Sequence, residues 1–201
     1  KTHFASQIGQ PSIRYFWWTR FEVMAAWFIE NEHRRRDALQ SVHAETSGMI
    51  FLKSAQGPIK LTARADRLDY DNDGQWTIID YKTGTVPSVS LIKKGLRNQL
   101  AVEGLIAFDG GFESLPAGAI RSLEYWQLSG KKSAPGEIKK PFANLFDVDE
   151  VRERLERLAN HFDQTDTPYP SELDPINAPP FRPYQHLSRS REWLYWENAD
   201  E

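Results

Sequence analysis

The 201-residue chain contains no cysteine. Disulfides, thiolate zinc sites and cysteine-held iron–sulfur clusters are thereby excluded, and a reducing compartment fits. Long apolar runs are missing as well. No stretch reads as a membrane span and no secretory leader opens the sequence, so a cytoplasmic location without membrane contact is expected. A dominant charge is also lacking: 25 Lys and Arg stand against 28 Asp and Glu, a formal net charge of −3. No global positive field announces nucleic-acid binding. Positive charge is local instead, at Arg34-Arg35-Arg36, Lys93-Lys94 with Arg97, Lys131-Lys132 and Lys139-Lys140. Each cluster alone reads as solvated surface, although a few of them lining one groove would suffice for a DNA-cutting enzyme. The histidines His3, His33, His43, His161 and His186 show no metal-ligand spacing. The first residue is Lys1, not Met, which suggests a piece of a larger protein.

What is present suits one globular domain: 40% of the residues are hydrophobic, enough for a real core. Phe16, Trp17, Phe21, Met24, Ala25 and Phe28 recur at helical spacing and predict a helix from Phe16 to Arg36. Its terminal arginines would suit the negative end of the helix dipole. Strands are predicted at Val42–Lys53, Ile59–Asp69 and Gln75–Tyr81, the last two joined by the turn Asp71-Asn72-Asp73-Gly74. A helix capped by Ser88 or Ser90 is predicted through Phe108, then a strand Ile120–Ser129, a Lys/Gly/Pro loop and an amphipathic helix Asp147–Phe162. Residues 1–164 form the expected core. Residues 165–201 form an expected arm, with six prolines between Thr165 and Tyr184 and a short helix Gln185–Trp196, in the same domain. The order gives an α/β fold with a mixed central sheet flanked by helices.

The stretch IIDYKTG, Ile78 to Gly84, carries the chemistry. With period-two alternation, Trp76, Ile78, Asp80 and Lys82 share one strand face and Thr77, Ile79 and Tyr81 the other. A turn centred near residue 73 brings Asp66, within ARADRLD, opposite Asp80. Opposed carboxylates repel, and a divalent cation between them would remove the penalty. Glu45, on the preceding strand, adds a third acid. Oxygen donors without cysteine or paired histidines point to Mg²⁺ or Mn²⁺. Lys82 would hold an attacking water or stabilise charge on a phosphate. The bland alternative is a structural ion-pair network at a sheet end, with Arg64 and Arg67 in it; Arg67 could instead meet a DNA phosphate. Lys93, Lys94 and Arg97 would meet phosphates beside the site.

ARADRLD, IIDYKTG and NQL together resemble the RecB-type branch of the PD-(D/E)xK nucleases, whose pattern is G-x-x-D-R-x-D, D-Y-K-T-G and Q-x-x-x-Y. The flanks FWWTRFEVMAAWF and YQHLSRSREW are similar to the nuclease domains of the AddB family. The resemblance implies a restriction-endonuclease-like core in which Asp66, Asp80 and the Tyr81 carbonyl hold metal, Lys82 is catalytic, Glu45 belongs to the site and Gln99 is the helix glutamine, on the DNA-binding side. It implies a Mg²⁺-dependent exonuclease acting on single-stranded DNA delivered by a helicase during double-strand break repair and recombination. The partners would be DNA, an AddA-like helicase–nuclease subunit and the rest of its own chain, at a nucleoid-associated location. Three features depart from the pattern: no upstream helix histidine or glutamate is matched, Ala63 replaces the glycine, and Glu103 replaces the tyrosine of Q-x-x-x-Y. The rival reading is a DNA-binding or scaffolding module that keeps the fold without the chemistry. A site-specific restriction enzyme is a weaker option, because nothing resembles a recognition domain.

Overall fold

The computed structural model describes residues 11–142 and 146–169, with side chains from residue 17 on. Helix α1 (Pro11–Arg36) precedes strands β1 (Leu39–Leu52), β2 (Ile59–Asp71) and β3 (Gln75–Lys82). Two helices follow, α2 (Val89–Lys93) and α3 (Gln99–Phe108), then β4 (Ala119–Lys131), β5 (Ala134–Lys139) and α4 (Val148–Phe162). The five strands lie in chain order, β1-β2-β3-β4-β5. β3 and β4 run parallel and the other neighbours antiparallel, so the sheet is mixed, as expected. The expected arm beyond Tyr169, including Gln185–Trp196, lies outside the described residues.

Alternation along β3 divides the chemistry between the two sheet faces. Trp76 and Ile78 join the main core with Leu68, Leu100, Leu105, Ile106 and Leu123, under α3. On the other face Trp126 meets Trp27 and Phe28 of α1, with ring centroids 5.7 and 5.6 Å apart. Tyr81 joins this aromatic group, 6.0 Å from Phe28 and 6.1 Å from Trp126. Trp27 lies over Gly136, where an added Cβ would come within 2.5 Å of the indole. Trp27 is thus an internal packing residue. At the other end of α1, Trp17 and Phe21 of the expected apolar stripe are 61% and 46% exposed.

The helix expected from Ser88 to Phe108 is two helices. Ser88 caps the first by accepting from the Leu91 N–H at 3.3 Å. Gly95 then takes φ +73, a conformation costly for any residue with a Cβ, and the Gly95 N–H closes on the Ile92 carbonyl at 2.8 Å. Arg154 of α4 donates to the Lys93 carbonyl at 2.9 Å and completes the stop. The expected loop after Ser129 is instead the end of β4 and the whole of β5. β5 tolerates Pro135 because it is an edge strand.

Candidate active site

The β2–β3 ladder pairs Arg67 with Ile79 and Tyr70 with Trp76. Continued by one residue, that register sets Asp66 beside Asp80, the juxtaposition read from the turn position. The Tyr81 N–H donates to Asp66 Oδ2 at 3.0 Å, which pins the first carboxylate across the strand. Asp80 is 1% exposed. Lys82 Nζ donates to Asp80 Oδ1 at 2.8 Å and lies 2.7 Å from Oδ2, where it is out of line for a hydrogen bond. Asp80 Oδ2 is therefore a buried oxygen without an aligned donor.

From α3, Gln99 reaches the same point: its Oε1 accepts from Lys82 Nζ at 3.4 Å. One turn further on, Glu103 Oε1 accepts from Gln99 Nε2 at 3.2 Å, while Oε2 has no partner. Tyr125, directly beside Asp80 on β4, closes the floor, and Lys82 Nζ stands 6.0 Å from its ring centroid.

Electrostatics mark the cluster. Burial raises the Asp80 carboxyl above its ordinary range; Lys82 pulls it back, and the Asp66 charge pushes it up again. Burial lifts Glu103 to about 7, with the Asp80 and Asp66 charges adding to the rise and the Gln99 hydrogen bond opposing it. Burial also lifts the Tyr125 hydroxyl to about 12, helped by Asp80 and Glu103.

Two expected residues stand elsewhere. Glu45 is opposite Asp66 in register, between the pairs Ala44–Arg67 and Thr46–Ala65. Its backbone takes φ +53, however, and its carboxylate pairs with Arg64 at 3.1 Å, with both side chains mostly exposed. The left-handed backbone turns it out of the cluster. Arg67, expected in an ion-pair network or on a DNA phosphate, is in the network. It is 5% exposed on the α1 face, where it donates to Asp69 at 2.6 and 3.0 Å and to Glu32 at 3.1 Å. Burial lowers its affinity for a proton, but the acceptors Asp69, Glu32 and Tyr81 more than compensate, so the guanidinium is held charged. It has no surface to offer DNA. Lys93, Lys94 and Arg97 are exposed on and just after α2, and the Arg97 charge acts on Tyr125 of the site floor.

Sequence reasoning passed over Glu103 as a mere departure from a motif. A signal was available: it is the one charged residue in QLAVEGLIAF, four places after Gln99 and on the same helix face.

A family model of the PD-(D/E)XK nuclease superfamily matches residues 4–183. The chain belongs to the PD-(D/E)XK nuclease superfamily. Among its relatives, a protein of Rickettsia bellii (strain RML369-C) named "Uncharacterized protein" is 35% identical over 48% of this chain and 12% of its own length. A protein of Rickettsia typhi (strain Wilmington) is 33% identical over 56% of this chain and 13% of its own. The matched stretch is thus a small part of the relatives' length. A solved structure titled "Crystal structure of SSO0001" aligns over 83% of this chain and 68% of its own, at 15% identity and a TM-score of 0.40.

Nucleases of the PD-(D/E)XK superfamily generally use divalent metals. Among the described residues, no three Asp, Glu or His side chains stand together at ligating spacing. The donors at the sheet end nevertheless suit a hard cation: Asp66 and Asp80 supply oxygens only, and the buried Asp80 Oδ2 lacks an aligned donor.

Proposed function

We propose that this superfamily member is the nuclease domain of an AddB-type helicase–nuclease, working with an AddA-like subunit to process double-strand breaks for recombinational repair. It hydrolyses phosphodiester bonds of single-stranded DNA as an exonuclease, and residues 165–201 are part of the same domain. The observation that carries the reading is the buried Asp80, held by Lys82 and faced by Asp66, at the end of the one parallel strand pair.

Asp66, Asp80 and the Tyr81 carbonyl would hold Mg²⁺ or Mn²⁺. When bound, such an ion clamps a phosphate oxygen and makes water more acidic. The chain's own groups do the rest. Lys82, one-third exposed, has its ammonium shared between the Asp80 and Gln99 oxygens, which leaves a donor for a water or a phosphoryl oxygen. Asp66 is fixed by the Tyr81 N–H, so the two acids meet an incoming group from settled positions. Lys93, Lys94 and Arg97 contact the phosphates of the strand without reading its bases.

The test is digestion of single-stranded DNA by the full-length protein in Mg²⁺ or Mn²⁺, comparing wild type with Asp80→Ala. The variant should be inactive with unchanged circular dichroism, because Lys82, once released, can turn to solvent. If Asp80→Ala digests DNA as fast as wild type, Asp80 and Lys82 are a structural ion pair and the nuclease reading is wrong.

A further inference from the structure

We propose that Glu103 is a positioning residue that holds the Gln99 amide with its oxygen, not its nitrogen, towards the Lys82 ammonium. The consequence for catalysis rests on the nuclease reading above; the arrangement itself rests on geometry.

Glu103 is 1% exposed, on a helix whose neighbouring side chains Leu100, Leu105 and Ile106 are fully buried. A carboxyl in such surroundings is costly unless it does something an apolar side chain cannot. Its one hydrogen bond is to Gln99. A glutamine amide has a donor end and an acceptor end of nearly the same shape, and its neighbours decide which way it points. Lysine can only donate, so only the Gln99 oxygen can serve Lys82. Both ends are satisfied when Nε2 faces Glu103 Oε1, at 3.2 Å, and Oε1 faces Lys82 Nζ, at 3.4 Å. Gln99 is itself exposed. The Gln99 amide also acts on Asp80, but without an acceptor at position 103 it loses the hydrogen bond that fixes its Nε2 end and can turn to water.

Lys82 would then keep Asp80 as its only strong partner and settle fully onto it. The chain Glu103–Gln99–Lys82–Asp80 therefore divides the ammonium between two acceptors and sets where its remaining proton points. Glu103 makes no hydrogen bond or ion pair with Lys82 or Asp80; its charge acts on both through space, but its only bonded route to them runs through Gln99.

The experiment uses the full-length protein and four variants: Glu103→Leu, Glu103→Gln, Gln99→Ala and the Glu103→Leu/Gln99→Ala double. On single-stranded DNA in Mn²⁺, Glu103→Leu should lower kcat about 10- to 100-fold, the scale of a small misplacement, with KM within about twofold because Glu103 is buried. Glu103→Gln retains an oxygen for Gln99 and should recover most of the loss. In the Gln99→Ala background, Glu103→Leu should have no further effect. Equal losses in both backgrounds would overturn the proposal, as would a Glu103→Gln variant as poor as Glu103→Leu. Should Glu103→Leu fail to fold, Glu103→Met removes the acceptor at similar length. If the wild type cuts no DNA, the nuclease reading falls, and crystal structures of wild type and Glu103→Leu decide the positioning. Loss of the Gln99–Lys82 contact in the variant supports it; an unchanged contact sinks it.

Discussion

The two faces of the sheet carry two buried polar clusters, and they are built on opposite plans. Beneath α1, the cations Arg35, Arg67 and Lys140 meet the anions Glu32, Asp69 and Glu124. Arg35 pairs with Asp69 at 2.9 Å and with Glu124 at 3.0 Å, and Lys140 with Glu124 at 3.0 Å. The Trp126 indole also donates to Glu124, at 3.0 Å, and both guanidiniums lie over its ring. The single unmatched atom, Arg35 Nε, sits on a guanidinium whose other two nitrogens are engaged. Beneath α3, three carboxyls, Asp66, Asp80 and Glu103, act on one another with a single ammonium near them, Lys82, which among the three contacts Asp80 alone, and two buried carboxyl oxygens lack an aligned hydrogen-bond donor. The first cluster is a closed account of charge. The second is left short of positive charge, with Arg97 acting on its Tyr125 floor from a distance. A structural ion network saturates itself, whereas a binding site keeps a deficit for what it binds.

The comparison makes its strongest demand on Arg67. Arg67→Ala removes both hydrogen bonds of Arg67 to the fully buried Asp69, which keeps Arg35, and the bidentate partner of Glu32, so a loss of about 3 kcal/mol is expected, the lower end of the usual cost of breaking a buried pair. Chemical denaturation should show it directly. A loss well under about 1 kcal/mol would mean that the α1-side network is not the structural one.

Lys82→Ala strikes the other cluster. It removes the only ammonium in contact with Asp80 and should lower DNA hydrolysis by about 10²–10³-fold or more, the scale of losing one preorganised donor. The buried Asp80 carboxyl, already raised by desolvation, should rise further. Carboxyl-resolved NMR titration would follow the second effect even where activity is too low to measure.

Glu103→Gln sharpens the contrast through pH. The Glu103 carboxyl stands at about 7 against an ordinary 4.5. Below about pH 4.5 it is protonated whether the chain is folded or not, and burial exacts no ionisation penalty. Between about pH 4.5 and 7 the unfolded chain releases the proton first, so stability falls as pH rises; above about 7 the penalty is complete. At about 1.36 kcal/mol per pKa unit the penalty is on the order of 3 kcal/mol. In EDTA, the glutamine variant should therefore be the more stable above pH 7 and converge with wild type below about pH 5. Parallel thermal melts at the two pH values check this. A constant offset between the proteins would contradict it.

The smallest effect belongs to the basic approach. Replacing Lys93 and Lys94 together by alanine should weaken single-strand binding several-fold. It should also reduce the salt slope by about 1.4, at roughly 0.7 per phosphate contact on single strands. An unchanged slope would move the strand's path away from α2.

Much of this arrangement was legible in the sequence. The turn Asp71–Gly74 sets the β2–β3 register, and that register alone brings Asp66 to Asp80. Strict alternation puts Asp80 and Lys82 on one face and Tyr81 on the other. The errors arose where one residue overrides a pattern. At Gly95 a positive φ splits a sequence whose apolar spacing continues undisturbed, because spacing reports which residues are buried and not whether the backbone between them is continuous. At Glu45 a left-handed backbone turns a side chain that period-two counting would aim inward. Arg67 shows a third kind of limit. Alternation does assign it to the face opposite Asp66, but the D-R-x-D motif makes the two look like one functional unit when they serve different clusters. Glu103 was hidden by the motif it breaks, since comparison with a pattern registers a missing tyrosine more readily than a new carboxyl.

Tyr81 sits between Asp80 and Lys82 in the chain but lies on the other side of the sheet. There its hydroxyl accepts from Arg67 at 3.3 Å and its ring is wedged between Phe28 and Trp126. A strand residue anchored in this way loses its freedom to twist, and its neighbours on either side lose theirs with it. The conformational entropy needed to align the acid and the lysine is therefore surrendered once, during folding, when α1 docks. On the nuclease reading, it need not be surrendered again at each turnover. The aromatic wedge on the silent face acts as ballast for the working one.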